Sequence, residues 1–172
     1  MTYQDVSVCN ALLSAIPLAD MPSNAVADII LLQVEYQRKY EQFQDFMQSV
    51  LANLTKDGIR DKLSDYIRYN NIINSDKRTE EDGDFVKAHK EELDKFKPEY
   101  ECFEKSYNEA YNKKLREDAG AFKKLSRKSY EEIIGHIGLN GNIEVSFRPN
   151  EPQQISKIDY IKLLGYHVVT DV

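Results

Sequence analysis

The chain has seven glycines and five prolines in 172 residues, and from Asn24 to about Leu54 it has neither. Interior Gly and Pro are what interrupt helices, so their scarcity allows long unbroken elements. Only two cysteines occur, Cys9 and Cys102. They cannot make a disulfide framework, and no Cys pair has metal-ligand spacing. Met1 to Ser14 lacks the basic start and cleavage-type end of a secretory signal, so both thiols are expected reduced and apolar in character. The longest apolar run, Ala25 to Val34, is interrupted by Asp28 and Gln33. A bilayer needs about 20 apolar residues, so no span is expected and the chain reads as cytoplasmic. The net charge of −6 argues against general affinity for nucleic acid or anionic membrane. Trp is absent and Tyr abundant, at 11, which suits half-buried seams with a packed ring and a wet hydroxyl.

The apolar residues that are present fall at helical spacing. Residues 5–16 predict a short helix carrying Val6, Cys9, Leu12, Leu13 and Ile16 on one face. Pro17 and Pro22 bracket a loop, and Ser23 is a candidate N-cap. The next helix is the dominant signal. Val26, Ile29, Gln33, Tyr36, Tyr40, Phe43, Met47, Val50 and Leu54 follow at steps of three or four, and from Tyr36 the steps alternate four and three. That is a heptad seam, the mark of lengthwise helix packing. At about 1.5 Å per residue the helix would be about 45 Å long.

Asp57-Gly58 predicts a break, followed by a shorter amphipathic helix with Ile59, Leu63, Tyr66, Ile67 and Ile73. Residues 74–84 have no apolar member and predict a loop. Phe85 opens a further pattern. After a boundary or kink at Pro98, the stripe Tyr100, Phe103, Tyr107, Ala110, Tyr111, Leu115, Phe122 and Leu125 gives 99–125 the length to be the antiparallel mate of 24–54. Ser129-Tyr-Glu-Glu132 has capping-box spacing and would start a short helix ending near Gly135 or Gly138.

The last 35 residues or so change character. Residues 142–148 alternate with period two, which predicts a half-buried strand ended by Pro149-Asn-Glu-Pro152. Ser156-Lys-Ile-Asp159 predicts a capped short helix stopped at Gly165, and Tyr166 to Val169 a second strand pairing with the first. The expected fold is therefore mainly α: an antiparallel long helical hairpin with extra short helices over 1–139, and a small two-strand α/β cap over 140–172.

Chemistry is sparse. No Gly-rich phosphate loop is present. His89, His136 and His167 are isolated in sequence; Glu131 and Glu132 precede His136, but a surface histidine is the simpler reading than a metal ligand. Paired carboxylates such as Glu80-Glu81 and Glu91-Glu92 lie in strongly charged stretches rather than apolar pockets. No catalytic residue, metal or cofactor is assigned, and a non-enzymatic role is expected. One basic stretch stands out: Lys113, Lys114, Arg116, Lys123, Lys124, Arg127 and Lys128 against Glu117 and Asp118. It can track a phosphate backbone, or it can complement a helix C-terminus and the acidic stretch 80–104.

The stretch Asn10-Ala11-Leu12-Leu13, then Pro22, then a long helix from Ile29 through Leu51, resembles small uncharacterised bacteriophage proteins. Ile143-Glu144-Val145, Ile155-Ser156, Asp159-Tyr160 and Leu163-Leu164 are similar to the end of the same group. The resemblance covers about 75 residues by these motifs, and the middle of this chain is longer than the pattern. It implies a phage or prophage origin, in the host cytoplasm or particle, and an accessory role. The first expectation is thus a protein–protein interaction protein, self-associating or acting on a partner through Tyr36, Tyr40, Phe43, Met47, Tyr100, Phe103 and Tyr107. The alternative is a nucleic-acid-binding accessory factor using 113–128.

Overall fold

The computed structural model describes residues 1–56, 58–148 and 151–169. The described chain is mainly α, with six helices and one two-stranded sheet: α1 (Tyr3–Ser14), α2 (Ser23–Leu54), α3 (Ile59–Ile73), α4 (Glu80–Arg116), α5 (Arg127–Ile137), β1 (Asn142–Val145), β2 (Gln153–Ser156) and α6 (Lys157–Val168). No helix among the described residues is long and apolar enough to cross a membrane. The chain packs as two compact units, Met1–Gln44 with Lys114–Val172, and Asp45–Lys113. The segment 140–172 belongs to the first.

In the first unit, α1 buries Val6, Cys9, Leu12 and Leu13 as its spacing predicts, and Ile16, just past its end, is buried with them. Thr2 and Asp5 form a reciprocal capping box at its start. Its C-terminal carbonyls are held by side chains from far in sequence. The Tyr160 hydroxyl donates to the Leu12 carbonyl (2.7 Å), and the Gln33 amide donates to Leu13 (2.7 Å). Around α1 gather Ile29, Leu32 and Tyr36 of α2, Ile133 and Ile137 of α5, and Tyr160, Leu164 and Val168 of α6. The first turn of α2 is tied one residue earlier than a Ser23 cap would place it, because the Val26 N–H donates to the Pro22 carbonyl.

Several expectations are corrected. The stripe expected to stay helical to residue 125 stops at Arg116. The Glu117 N–H closes the last turn onto the Lys114 carbonyl (3.1 Å), Asp118 accepts from the Gly120 N–H (3.0 Å), and Gly120 at φ +94° turns the chain so that the helix does not resume. The chain then runs extended, bridging Thr2 to Asp118 and Leu125 to Val169. At α5 the cap is Ser126, not Ser129: Ser126 accepts from the Ser129 N–H, and Ser129 turns inward to donate to Asp28 (2.7 Å). The helix ends at Gly138, one of the two stops expected.

The second expected strand, Tyr166 to Val169, is instead the last turn of α6 and its C-cap. The strand that pairs with β1 is Gln153–Ser156, antiparallel, with Ile143 opposite Ile155. Ser156 caps α6 through the Asp159 N–H as its spacing predicts. Gly165 does not stop the helix; it makes room. A Cβ there would lie 2.6 Å from the Tyr130 hydroxyl, which donates to the Ile161 carbonyl (2.8 Å) one turn earlier.

In the second unit α3 lies antiparallel along α4. Tyr66 packs on Phe96 and Tyr100 (5.7 and 4.6 Å between centroids), and Tyr69 donates to Asp94 (3.0 Å). Nearer the turn, the Arg68 guanidinium lies 4.2 Å from the Phe85 ring centroid. Gly58, in the left-handed region, starts α3 where a break is expected; Asp57 lies outside the described residues. The expected loop 74–84 is shorter. Thr79 and Asp82 exchange backbone-to-side-chain bonds (3.0 and 3.2 Å), and this capping box starts α4 at Glu80 without any apolar residue. Arg78 closes the turn by donating to the Ile72 and Ile73 carbonyls at the end of α3. Pro98 lies inside α4 and does not end it.

Candidate functional site

The aromatic residues expected to meet a partner divide between the two units. In the first, Tyr36 is fully buried. Its ring packs 4.8 Å from Phe122 and its hydroxyl donates to the Lys123 carbonyl (3.5 Å). Burial, first of all, pushes that phenol well above its ordinary range, and Cys9 beside it adds to the effect. The Cys9 thiol is itself pushed up to about 11 by burial, so it is no activated nucleophile. Phe43 is buried with its ring 6.0 Å from Tyr3, and Tyr40 is half-buried. In the second unit Met47 is buried. Tyr100, Phe103 and Tyr107 are half-buried and form a ladder along α4, with centroid spacings of 6.4 and 6.0 Å. Tyr36 and Phe43 are therefore spent inside their own unit.

The basic stretch divides as well. Lys113 ends the second unit and the rest belong to the first. Lys114 pairs with Glu117 (2.8 Å) and sits over the Tyr3 ring (4.7 Å), and Arg127 pairs with Glu131 (3.2 Å). Arg116, Lys123, Lys124 and Lys128 are exposed. Arg127 and Lys128 stand at the first turn of α5, the end of a helix where cations are disfavoured. The dipole explanation for the stretch thus holds only for Lys113, Lys114 and Arg116 at the end of α4.

What the sequence reading missed is the outer side of α2. Ile30, Leu31 and Val34 are exposed, Leu31 at 65% and Val34 at 64%. The signal was available. At 3.6 residues per turn, the run Ile29-Ile30-Leu31-Leu32 sweeps about 300° of helix. The core takes Ile29 and Leu32, so the other two must face out. Val34 lines a shallow groove of about 370 Å³ with Asn10, Ser14, Gln33 and Gln37. Asn10 and Ser14 also line an adjoining cleft of about 420 Å³, together with Ser7, Tyr40, Glu144 and Phe147. The two grooves share Asn10 and Ser14, so in the first unit they run from Val34 of α2 across α1 to Glu144 of β1.

Among the described residues, no group of three or more His, Cys, Asp or Glu is placed to hold a metal ion. His136 is exposed in the last turn of α5. No family model matches the chain, and no curated protein or solved structure matches it.

Proposed function

We propose that this chain is a non-enzymatic protein–protein interaction protein, a phage-derived accessory or assembly factor working in the host cytoplasm or in the particle. The observation that carries the reading is the exposed apolar group Ile30, Leu31 and Val34 on α2. Clustered exposed aliphatics mark surfaces that are covered in use. The phage origin is supported by the resemblance of the N- and C-terminal motifs. Covering Leu31 and Val34 would contribute about 2–4 kcal/mol, a thirtyfold or greater gain in affinity. The test is Leu31→Ser with Val34→Ser. Retention of proteins from bacterial lysate is quantified by mass spectrometry, and self-association by light scattering at several concentrations. A partner or dimer held by the parent chain should be lost in the double variant, with its helicity and melting unchanged. Retention that ignores both substitutions refutes this surface.

A second reading, contact with nucleic acid, draws on Lys123, Lys124 and Lys128. They are exposed, with no carboxylate within ion-pair distance among the described residues. It requires affinity that falls steeply with salt.

A further inference from the structure

We propose that the open edge of β1 takes an extended peptide segment of a partner protein as a third strand, with a cationic side chain across from Glu144. The proposal rests on the interaction reading and names the class of partner. Its basis is the hydrogen-bond alternation of the sheet. The Lys157 N–H donates to the Gly141 carbonyl (3.0 Å), in register with Ile143 opposite Ile155 and Val145 opposite Gln153. In an antiparallel pair, bonded and non-bonded residues alternate. Ile143 and Val145 therefore spend their backbone groups on β2, while Asn142 and Glu144 turn theirs outward, with Ser146 next in the alternation. Among the described residues no hydrogen bond takes those outward groups, and all three residues are exposed.

The edge does not face bulk water alone. Glu144 and Ser146 line the 420 Å³ cleft whose other wall is Ser7, Ala11 and Ser14 of α1. Those side chains are small, and an added strand sits about 4.8 Å from its neighbour. An alternating row of outward N–H and C=O groups fits the backbone of an extended chain, the recognition mode called β-augmentation. Phe147 and the half-buried Tyr40 offer an apolar end for one of the peptide's side chains. Glu144 sets the charge. Its carboxylate accepts from Gln154 on the β2 side (3.0 Å) and meets no cation among the described residues. Opposite charges across a strand pair are favourable and like charges are not. The same rule counts against a second copy of this chain, since a symmetric pairing centred on Glu144 sets two glutamates face to face.

The experiment selects an mRNA-displayed random dodecapeptide library against the full chain, followed by affinity measurement on synthetic peptides. Recovered peptides should place Lys or Arg among β-branched residues. Glu144→Pro removes one outward N–H and leaves the β1–β2 bonds, so it should weaken binding about tenfold or more. Glu144→Gln should cost about threefold. Should Glu144→Pro fail to fold, the parent chain is tested with peptides N-methylated at alternate amides, and methylation in the bonded phase only should abolish binding. Recovery of no peptide overturns the proposal. So does binding indifferent to both Glu144→Pro and N-methylation; the interaction reading is then still judged by Leu31→Ser with Val34→Ser. A dimer that Glu144→Pro dissolves gives the edge to a second copy and also overturns it.

Discussion

Replacing Gly165 by Ala sets helix propensity directly against tertiary packing. Gly165 lies inside α6, and on propensity alone Ala stabilises a helix interior by about 1 kcal/mol. The new Cβ, however, would stand 2.6 Å from the Tyr130 hydroxyl and 3.1 Å from its ring carbon. That hydroxyl is fixed by its bond to the Ile161 carbonyl (2.8 Å). Overpacking costs about 1–3 kcal/mol, and displacing the hydroxyl forfeits about 1 kcal/mol of hydrogen bond. The balance is a loss of about 1–3 kcal/mol, or roughly 2–12 °C in Tm for a chain of this size. Thermal melts followed by circular dichroism measure it. Tyr130→Phe in the same chain removes the closest clash, so the double variant should melt near Tyr130→Phe alone. The coupling expected between the two sites is about 1–3 kcal/mol. A Gly165→Ala chain that melts higher than the parent refutes the reasoning, because propensity would then have won.

Tyr160→Phe leaves the buried Leu12 carbonyl at the end of α1 without the hydroxyl that satisfies it. It should cost about 1–3 kcal/mol in urea denaturation. Asp5 is held below its ordinary carboxylate range, first by the Thr2 backbone N–H. A depressed native value stabilises the fold above the unfolded pKa of about 3.9, and the gain is lost as pH falls through the native value. Asp5→Asn should therefore lower the melting temperature at pH 7 by an amount worth about 1 kcal/mol, and the difference should close in strong acid. Burial of Cys9 predicts that a disulfide-exchange reagent titrates only the exposed Cys102 in the native chain and both thiols after unfolding. If the basic stretch binds nucleic acid, affinity for single-stranded oligonucleotides should drop steeply between 50 and 200 mM salt in the sense of counterion release, and Lys123→Glu with Lys124→Glu should abolish it.

What the sequence determined by itself is what periodicity encodes. The inner face of α1, the seam of α2, the break at Gly58 and the cap at Ser156 follow from local spacing and backbone preference, and all are present. Such signals act within a few residues of themselves. Where two local signals compete, only tertiary structure decided between them. Ser129 has the spacing of an N-cap, yet Ser126 caps α5 while Ser129 turns inward to Asp28, about a hundred residues earlier. Gly165 resembles a helix stop until Tyr130 arrives from α5 to use the space. Tyr166–Val169 is expected as the strand partner of β1, yet the nearby Gln153–Ser156 pairs with it and the later segment closes α6. The candidate site divides the same way. A run of four aliphatics on a helix must leave some exposed, which makes Leu31 legible in advance. That Tyr36 and Phe43 would be consumed by Phe122 and Tyr3 was not legible, because a heptad seam records that a face is buried and not what buries it.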